Sequence, residues 1–311
     1  MKLAALVLGV VLSCGACGGE EPAARSPANA AQGGGGNVGA PRAVPLAFEA
    51  KKQGAKPFPF AFVEGKIGGQ NTRFLVDTGA SVHTIDSTIA QAAQLASPVK
   101  TSSLSIDGWG SLPDHGVAVI ELPASIRAHG IGGILSPQLL AEAGQALVVD
   151  LARKEMRQLS RSSAWSQVED VGTPLTAPSH RFCPADSGGL PGLLVAIDGT
   201  VEGEAIRFAI DTGASRSLLL DGSKGGARAA GHPVLGRSVA STSTADVPAT
   251  IHGGVPLALG AWSTTVDVGL TPGERHAQCA YEGRVGMDVL QYCAIAMTHD
   301  EVLVSCRVPG H

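Results

Sequence analysis

One stretch of this sequence occurs twice. Residues 61–85 read AFVEGKIGGQNTRFLVDTGASVHTI and residues 195–219 read VAIDGTVEGEAIRFAIDTGASRSLL, an ungapped offset of 134. The identities are Gly65/Gly199, Gly69/Gly203, Arg73/Arg207, Phe74/Phe208 and the unbroken run Asp-Thr-Gly-Ala-Ser at 77–81 and 211–215. Solenoid repeats recur every 20–50 residues or so, so a single repeat at this longer spacing means two copies of one folding unit.

Each copy has the pattern of a β-hairpin. Phe60 to Ile67 and Leu193 to Val201 alternate apolar with polar or small residues. Turn residues follow at Gly68-Gly69-Gln70-Asn71 and Glu202-Gly203-Glu204, and the return strands Arg73 to Val76 and Arg207 to Ile210 run straight into Asp-Thr-Gly. The copies also end alike. Gly133-Ile134-Leu135-Ser136-Pro137-Gln138-Leu139-Leu140 in the first matches Gly283-Arg284-Val285-Gly286-Met287-Asp288-Val289-Leu290 in the second, each followed by two apolar runs around a charged turn. This predicts a buried strand, a short helix and a closing hairpin. The expected lobes are 46–160 and 190–308, joined by a Ser- and Pro-bearing linker over 161–189.

The bulk numbers set the class. Apolar residues at 44% supply a core, while 16% charged residues and a net charge of −4 without clustered Lys and Arg argue against a nucleic-acid partner. At the N-terminus, Lys2 precedes an apolar run from Leu3 to Leu12 that is too short to span a bilayer. Val11-Leu12-Ser13-Cys14 resembles a bacterial lipoprotein signal over residues 1–17, with Cys14 the lipidated residue and Cys17 the alternative. An ordinary secretory signal cut near Ala16 is the other reading. Residues 18–45, rich in Ala, Gly and Pro, read as a flexible tether. The expectation is an exported, membrane-anchored protein on the periplasmic or cell-surface face.

Beyond that segment lie four cysteines, Cys183, Cys279, Cys293 and Cys306. An even count in an exported chain predicts two disulfides, with three connectivities open. Cys293 and Cys306 flank a hairpin centred on His299-Asp300 and are placed to bridge it. No C-x-x-C is present among these four cysteines and no H-x-x-H occurs, so neither metal nor cofactor is expected.

Asp77 and Asp211 are the residues that carry chemistry. In each copy an apolar strand ends in a carboxylate, and a glycine two positions on lets the chain turn sharply and present it. If two such loops meet about a pseudo-twofold axis, the carboxyl groups share one proton. The ionised one takes a proton from water and the protonated one donates a hydrogen bond to a substrate carbonyl, which is general acid–base catalysis by a pair that titrates as a unit.

Phe-Leu-Val-Asp-Thr-Gly-Ala-Ser and Phe-Ala-Ile-Asp-Thr-Gly-Ala-Ser resemble the active-site motif of retropepsin-like aspartyl proteases. Gly-Arg-Val-Gly-Met-Asp-Val-Leu at 283–290 is similar to that family's second motif. The resemblance implies an all-β protein of two closed β lobes forming a pepsin-like pseudo-dimer, monomeric, with an extended peptide or protein as substrate. It implies that Thr78 and Thr212 bond across the lobe junction, and that Gly79, Ala80, Ser81, Gly213, Ala214 and Ser215 build the loops around the aspartates. Two features depart or stay open. Ser136 stands where the second motif has glycine. Gly108-Trp109-Gly110 falls where a flap is due, and reads equally as a flap tip or as a hairpin turn with a core tryptophan. Asp186-Ser187-Gly188-Gly189 resembles the nucleophile segment of trypsin-like serine proteases, but no matching His motif precedes it. The expected function is an aspartic-type endopeptidase; the alternative is an inactive peptide-binding lipoprotein on the same fold.

Overall fold

A computed structural model describes residues 42–48, 60–95, 99–100, 103–110, 112, 115–241 and 246–307. Cys14 and Cys17 and nearly all of the 18–45 segment lie outside the described residues. The last part of that segment, Ala43–Pro45, is a strand.

The protein is nearly all β. One seven-stranded sheet runs in the order Val99–Lys100, Gly116–Ile120, His83–Asp86, Ile131–Leu135, Gln70–Val76, Phe62–Ile67, Leu104–Ile106. A second runs Ala196–Val201, Glu204–Ile210, Gly283–Val285, Leu218–Leu220, Trp262–Thr271, Asp246–Leu259, Val234–Ser241, and closes on itself where Thr200 pairs with Ala258. The two sheets repeat the same pairings. Gln70–Val76 lies antiparallel to Phe62–Ile67 and parallel to Ile131–Leu135. Glu204–Ile210 lies antiparallel to Ala196–Val201 and parallel to Gly283–Val285.

The identities between the copies have physical reasons. Phe74 and Phe208 are fully buried, and each ring lies over a glycine: a Cβ on Gly65 would come within 3.0 Å of the Phe74 ring, and one on Gly199 within 3.0 Å of Phe208. Gly69 and Gly203 turn the hairpins at φ +86° and +80°, where side chains are strained. Arg73 faces Glu64 across one hairpin and Arg207 faces Asp198 across the other, both at 3.0 Å. These exposed pairs mark register and contribute little energy.

A six-stranded sheet joins the halves, in the order Ala43–Pro45, Glu155–Ser160, Gln145–Asp150, Cys293–Met297, Val302–Cys306, Thr173–Pro174. Each closing hairpin supplies two strands, and the inner ones pair antiparallel from Met297 opposite Leu147 to Ala294 opposite Asp150. The stretch read as a linker holds a helix, Arg161–Glu169, capped by the Ser160 hydroxyl, which accepts from the Ser163 amide at 3.3 Å. Its Ala164, Trp165 and Val168 are buried in one cluster with Ala146, Val148, Ala294, Ala296 and Leu303 of that sheet. The spacing 164, 165, 168 is one helix face, which the prolines further along the segment obscured. Two disulfides form, Cys183–Cys279 and Cys293–Cys306, the latter between facing residues of the last hairpin. No helix among the described residues is long and apolar enough to cross a membrane.

Candidate active site

Asp77 and Asp211 follow the strands Gln70–Val76 and Glu204–Ile210, and the backbone treats them alike. The Asp77 amide donates to Leu135 O and the Asp211 amide to Val285 O, both at 2.9 Å. Within each loop the glycine amide donates to its own aspartate: Gly79 to Asp77 Oδ1 at 2.7 Å, Gly213 to Asp211 Oδ1 at 3.0 Å.

The threonines tie the loops together. The Thr78 amide donates to Thr212 Oγ1 at 3.0 Å and the Thr212 amide to Thr78 Oγ1 at 3.1 Å. Each hydroxyl then donates to a strand carbonyl of the opposite half, Thr78 to Ile210 O and Thr212 to Val76 O, both at 2.7 Å. Both threonines are fully buried, so every polar atom in this square has a protein partner. The square brings each carboxylate against the opposite loop. A Cβ on Gly79 would lie 2.5 Å from Asp211 Oδ1, and one on Gly213 2.6 Å from Asp77 Oδ1. Only glycine leaves room there.

The two carboxyl groups thus face each other across the junction, each against the glycine of the opposite loop. Burial first, then the Asp211 charge, pushes the Asp77 carboxyl up to about 8, against the Gly79 amide and the Arg284 charge, which pull it down. Two carboxyl groups held this close keep one proton between them at neutral pH.

The remaining loop residues take supporting places. The Ala80 and Ala214 amides close the turns on Asp77 O and Asp211 O at 3.3 and 3.2 Å. Ser81 O accepts from the Leu193 amide at 3.1 Å, and Ser215 is exposed. Gly108-Trp109-Gly110 forms a tight turn in which the Trp109 amide donates to Ile106 O. Trp109 is 2% exposed and belongs to the main hydrophobic cluster, so this aromatic anchors the core, the second of its two readings. Leu104–Ile106 pairs with Phe62–Ile67, and the turn that ends it carries the ring inward.

Residues 63–129 match the family model described as aspartyl protease. The match supports the resemblance to retropepsin-like aspartyl proteases. The match includes Asp77 and ends before Asp211. No curated protein matches the chain.

Within this aspartyl protease fold, four supports were missed by sequence reasoning. In the second half Gly286 N donates to Ser217 Oγ at 3.2 Å, and Ser217 in turn donates to Asp288 Oδ1 through both amide and hydroxyl at 2.9 Å. In the first half His83 occupies the position of Ser217, and the Ser136 amide donates to its Nδ1 at 3.1 Å. Gln138 replaces Asp288: its Nε2 donates to Thr78 O, Ala80 O and Leu193 O at 3.3, 2.8 and 2.7 Å. Ser136 is therefore no gap in the support of Asp77, because the amide makes the bond and Gln138 braces the loop. The fourth is Arg284, whose Nη1 donates to Asp211 Oδ2 at 2.7 Å. Its signal was present in the sequence as a cation inside an otherwise apolar strand motif.

Proposed function

We propose that the chain is an aspartic-type endopeptidase, with its two halves acting as a pepsin-like pseudo-dimer in one chain. The supporting observation is the Thr78/Thr212 square, which sets each aspartate against the glycine of the opposite loop. A water held between the carboxyl groups loses a proton to the ionised one as its oxygen attacks the peptide carbonyl. The protonated one donates to the carbonyl oxygen. Collapse breaks the C–N bond, and the proton passes to the leaving nitrogen. No covalent intermediate is needed. The substrate is an extended peptide or protein segment. An N-terminal lipid on Cys14, or on Cys17, would tether the enzyme at an exported membrane face, a setting in keeping with two disulfides.

A second reading is peptide binding without cleavage. The observation that favours it is Arg284, which already occupies one oxygen of Asp211. Cleavage of a peptide library by wild type, Asp77→Asn and Asp211→Asn separates the two. The endopeptidase cleaves as wild type and loses cleavage in either variant. A wild type that binds peptides without cutting them establishes the second reading.

A further inference from the structure

Among the differences between the surroundings of the two aspartates, one places a charge on the dyad itself. Ile134 pairs with Leu75 and Thr84 in the first sheet, and Arg284 holds the same register against Ala209 and Leu218 in the second. Ile134 is buried in a cluster with Leu75, Leu122, Ile126 and Ile131. Arg284 instead reaches the dyad, with 34% of its side chain exposed and its Asp211 partner at 3%.

The guanidinium is held from behind as well. Arg284 Nη2 donates to Tyr281 Oη at 3.3 Å, and its Cζ lies 5.6 Å from that ring. Tyr281 stacks on His276 with ring centres 5.1 Å apart and planes 18° apart. His276 Nδ1 accepts from the Cys279 amide at 3.2 Å, and Cys279 is bonded to Cys183. The cation is thus one end of a braced stack. Burial works against its charge, but Asp211, then Tyr281 and Asp77, hold its pKa above the usual guanidinium value.

In a symmetric dyad the shared proton has no preferred side. A fixed cation in contact with one carboxylate places the negative charge there. We propose that Arg284 divides the roles of the pair, holding Asp211 as the carboxylate and leaving the shared proton on Asp77. Asp211 is then the base that takes the proton from water, and Asp77 the donor to the substrate carbonyl. Arg284 touches neither water nor substrate in this scheme and is a positioning residue. Ala80 and Ala214 offer the dyad no side-chain donor, and Arg284 supplies one on the Asp211 side alone.

The inference rests on the endopeptidase reading for its mechanistic meaning, though not for its test. Besides the dyad itself, the titratable groups packed at Arg284 are Tyr281 and, behind it, His276. Burial first and then the Arg284 charge lower the His276 pKa, so it adds no charge at neutral pH. The Arg284 charge favours ionisation of both aspartates, and most of the one it contacts. Its loss should therefore move the acid limb of activity up in pH more than the basic limb.

The full chain, labelled with carboxyl-¹³C aspartate, is titrated by NMR, with the two resonances assigned through Asp77→Asn and Asp211→Asn. As pH rises the Asp211 carbon is expected to titrate first, separated from Asp77 by about 2 pH units or more. Arg284→Ile, which copies Ile134, should raise the Asp211 step and close most of that gap, and Arg284→Lys should fall between. In kcat/KM profiles Arg284→Ile should shift the acid limb upward by about 1 pH unit or more, with the basic limb moving less. Asp77 titrating first, or an unchanged order and gap in Arg284→Ile, overturns the proposal. If Arg284→Ile does not fold, the order in wild type and the gap in Arg284→Lys decide. The expected titration without any cleavage would sink the endopeptidase reading and leave the charge assignment standing.

Discussion

Thr78 and Thr212, 134 residues apart, exchange hydrogen bonds: each amide donates to the other's hydroxyl, at 3.0 and 3.1 Å. The hydroxyls pass the connection on to Ile210 O and Val76 O. Each hydroxyl is at once an acceptor from one half and a donor to a strand of the other, so neither can be removed without orphaning two buried backbone groups.

Thr212→Val keeps the shape and removes the hydroxyl. It strands Thr78 N and Val76 O, at about 1–3 kcal/mol for each unsatisfied buried group. A loss of about 2–5 kcal/mol in chemical denaturation is expected, with Thr212→Ser near wild type. Equal stability of the Val and Ser variants would show that the square carries no load.

Gly79→Ala and Gly213→Ala each place a methyl group against the opposite carboxylate. The loops must part or an aspartate must rotate, and misplacement of a reacting group by about 1 Å costs roughly 100-fold in rate. Both variants should lose peptidase activity by about that factor or more while remaining folded by circular dichroism. A fully active Gly213→Ala would show that the approach of Asp77 to that loop is dispensable.

The Asp77 carboxyl, pushed up to about 8 mainly by burial, has a stability consequence. Between its ordinary value of 3.8 and about 8, the unfolded chain releases a proton that the folded chain keeps. The folded state therefore loses stability as pH rises through that window. Asp77→Asn removes the penalty. It should be more stable than wild type by about 1–3 kcal/mol at pH 7, with the difference vanishing near pH 4, in paired thermal melts. A difference that does not depend on pH would contradict it.

His83 works in the opposite direction. It is fully buried with Nδ1 accepting from the Ser136 amide. Burial first, then His115, pushes its pKa down to about 3. Its contribution is complete above the ordinary value of 6.5 and is lost as pH falls from there toward 3, because only the unfolded chain takes up the proton. His83→Ser places in the first half the residue found at Ser217 in the second. It should cost about 1–3 kcal/mol at pH 7 through lost packing, and flatten the fall in stability between pH 6.5 and 3. The same slope in both proteins would place the acid-labile group elsewhere.

By itself the sequence determined the local units. The repeat, the hairpins leading to Asp77 and Asp211, the strand, short helix and closing hairpin of each half, and the candidate pairing of Cys293 with Cys306 follow from alternation, turn residues and spacing, all short-range. The helix at Arg161–Glu169 was hidden only because prolines a few residues on dominated the reading. What tertiary structure decided is which faces and which distant partners the side chains meet. Strand periodicity places Arg284 and Ile134 in one register, yet only packing sends one side chain into a cluster of isoleucines and leucines and the other onto Asp211. Ser136 reads as a defect in isolation and becomes a sound position once His83 accepts its amide bond and Gln138 ties two carbonyls of the loop to Leu193 O. The flanking glycines leave Trp109 open to two readings, and only the pairing of Leu104–Ile106 with Phe62–Ile67 aims its ring into the core. A linear pattern encodes which residues repeat, while the direction of each side chain toward a distant partner is set by how the sheets close on one another.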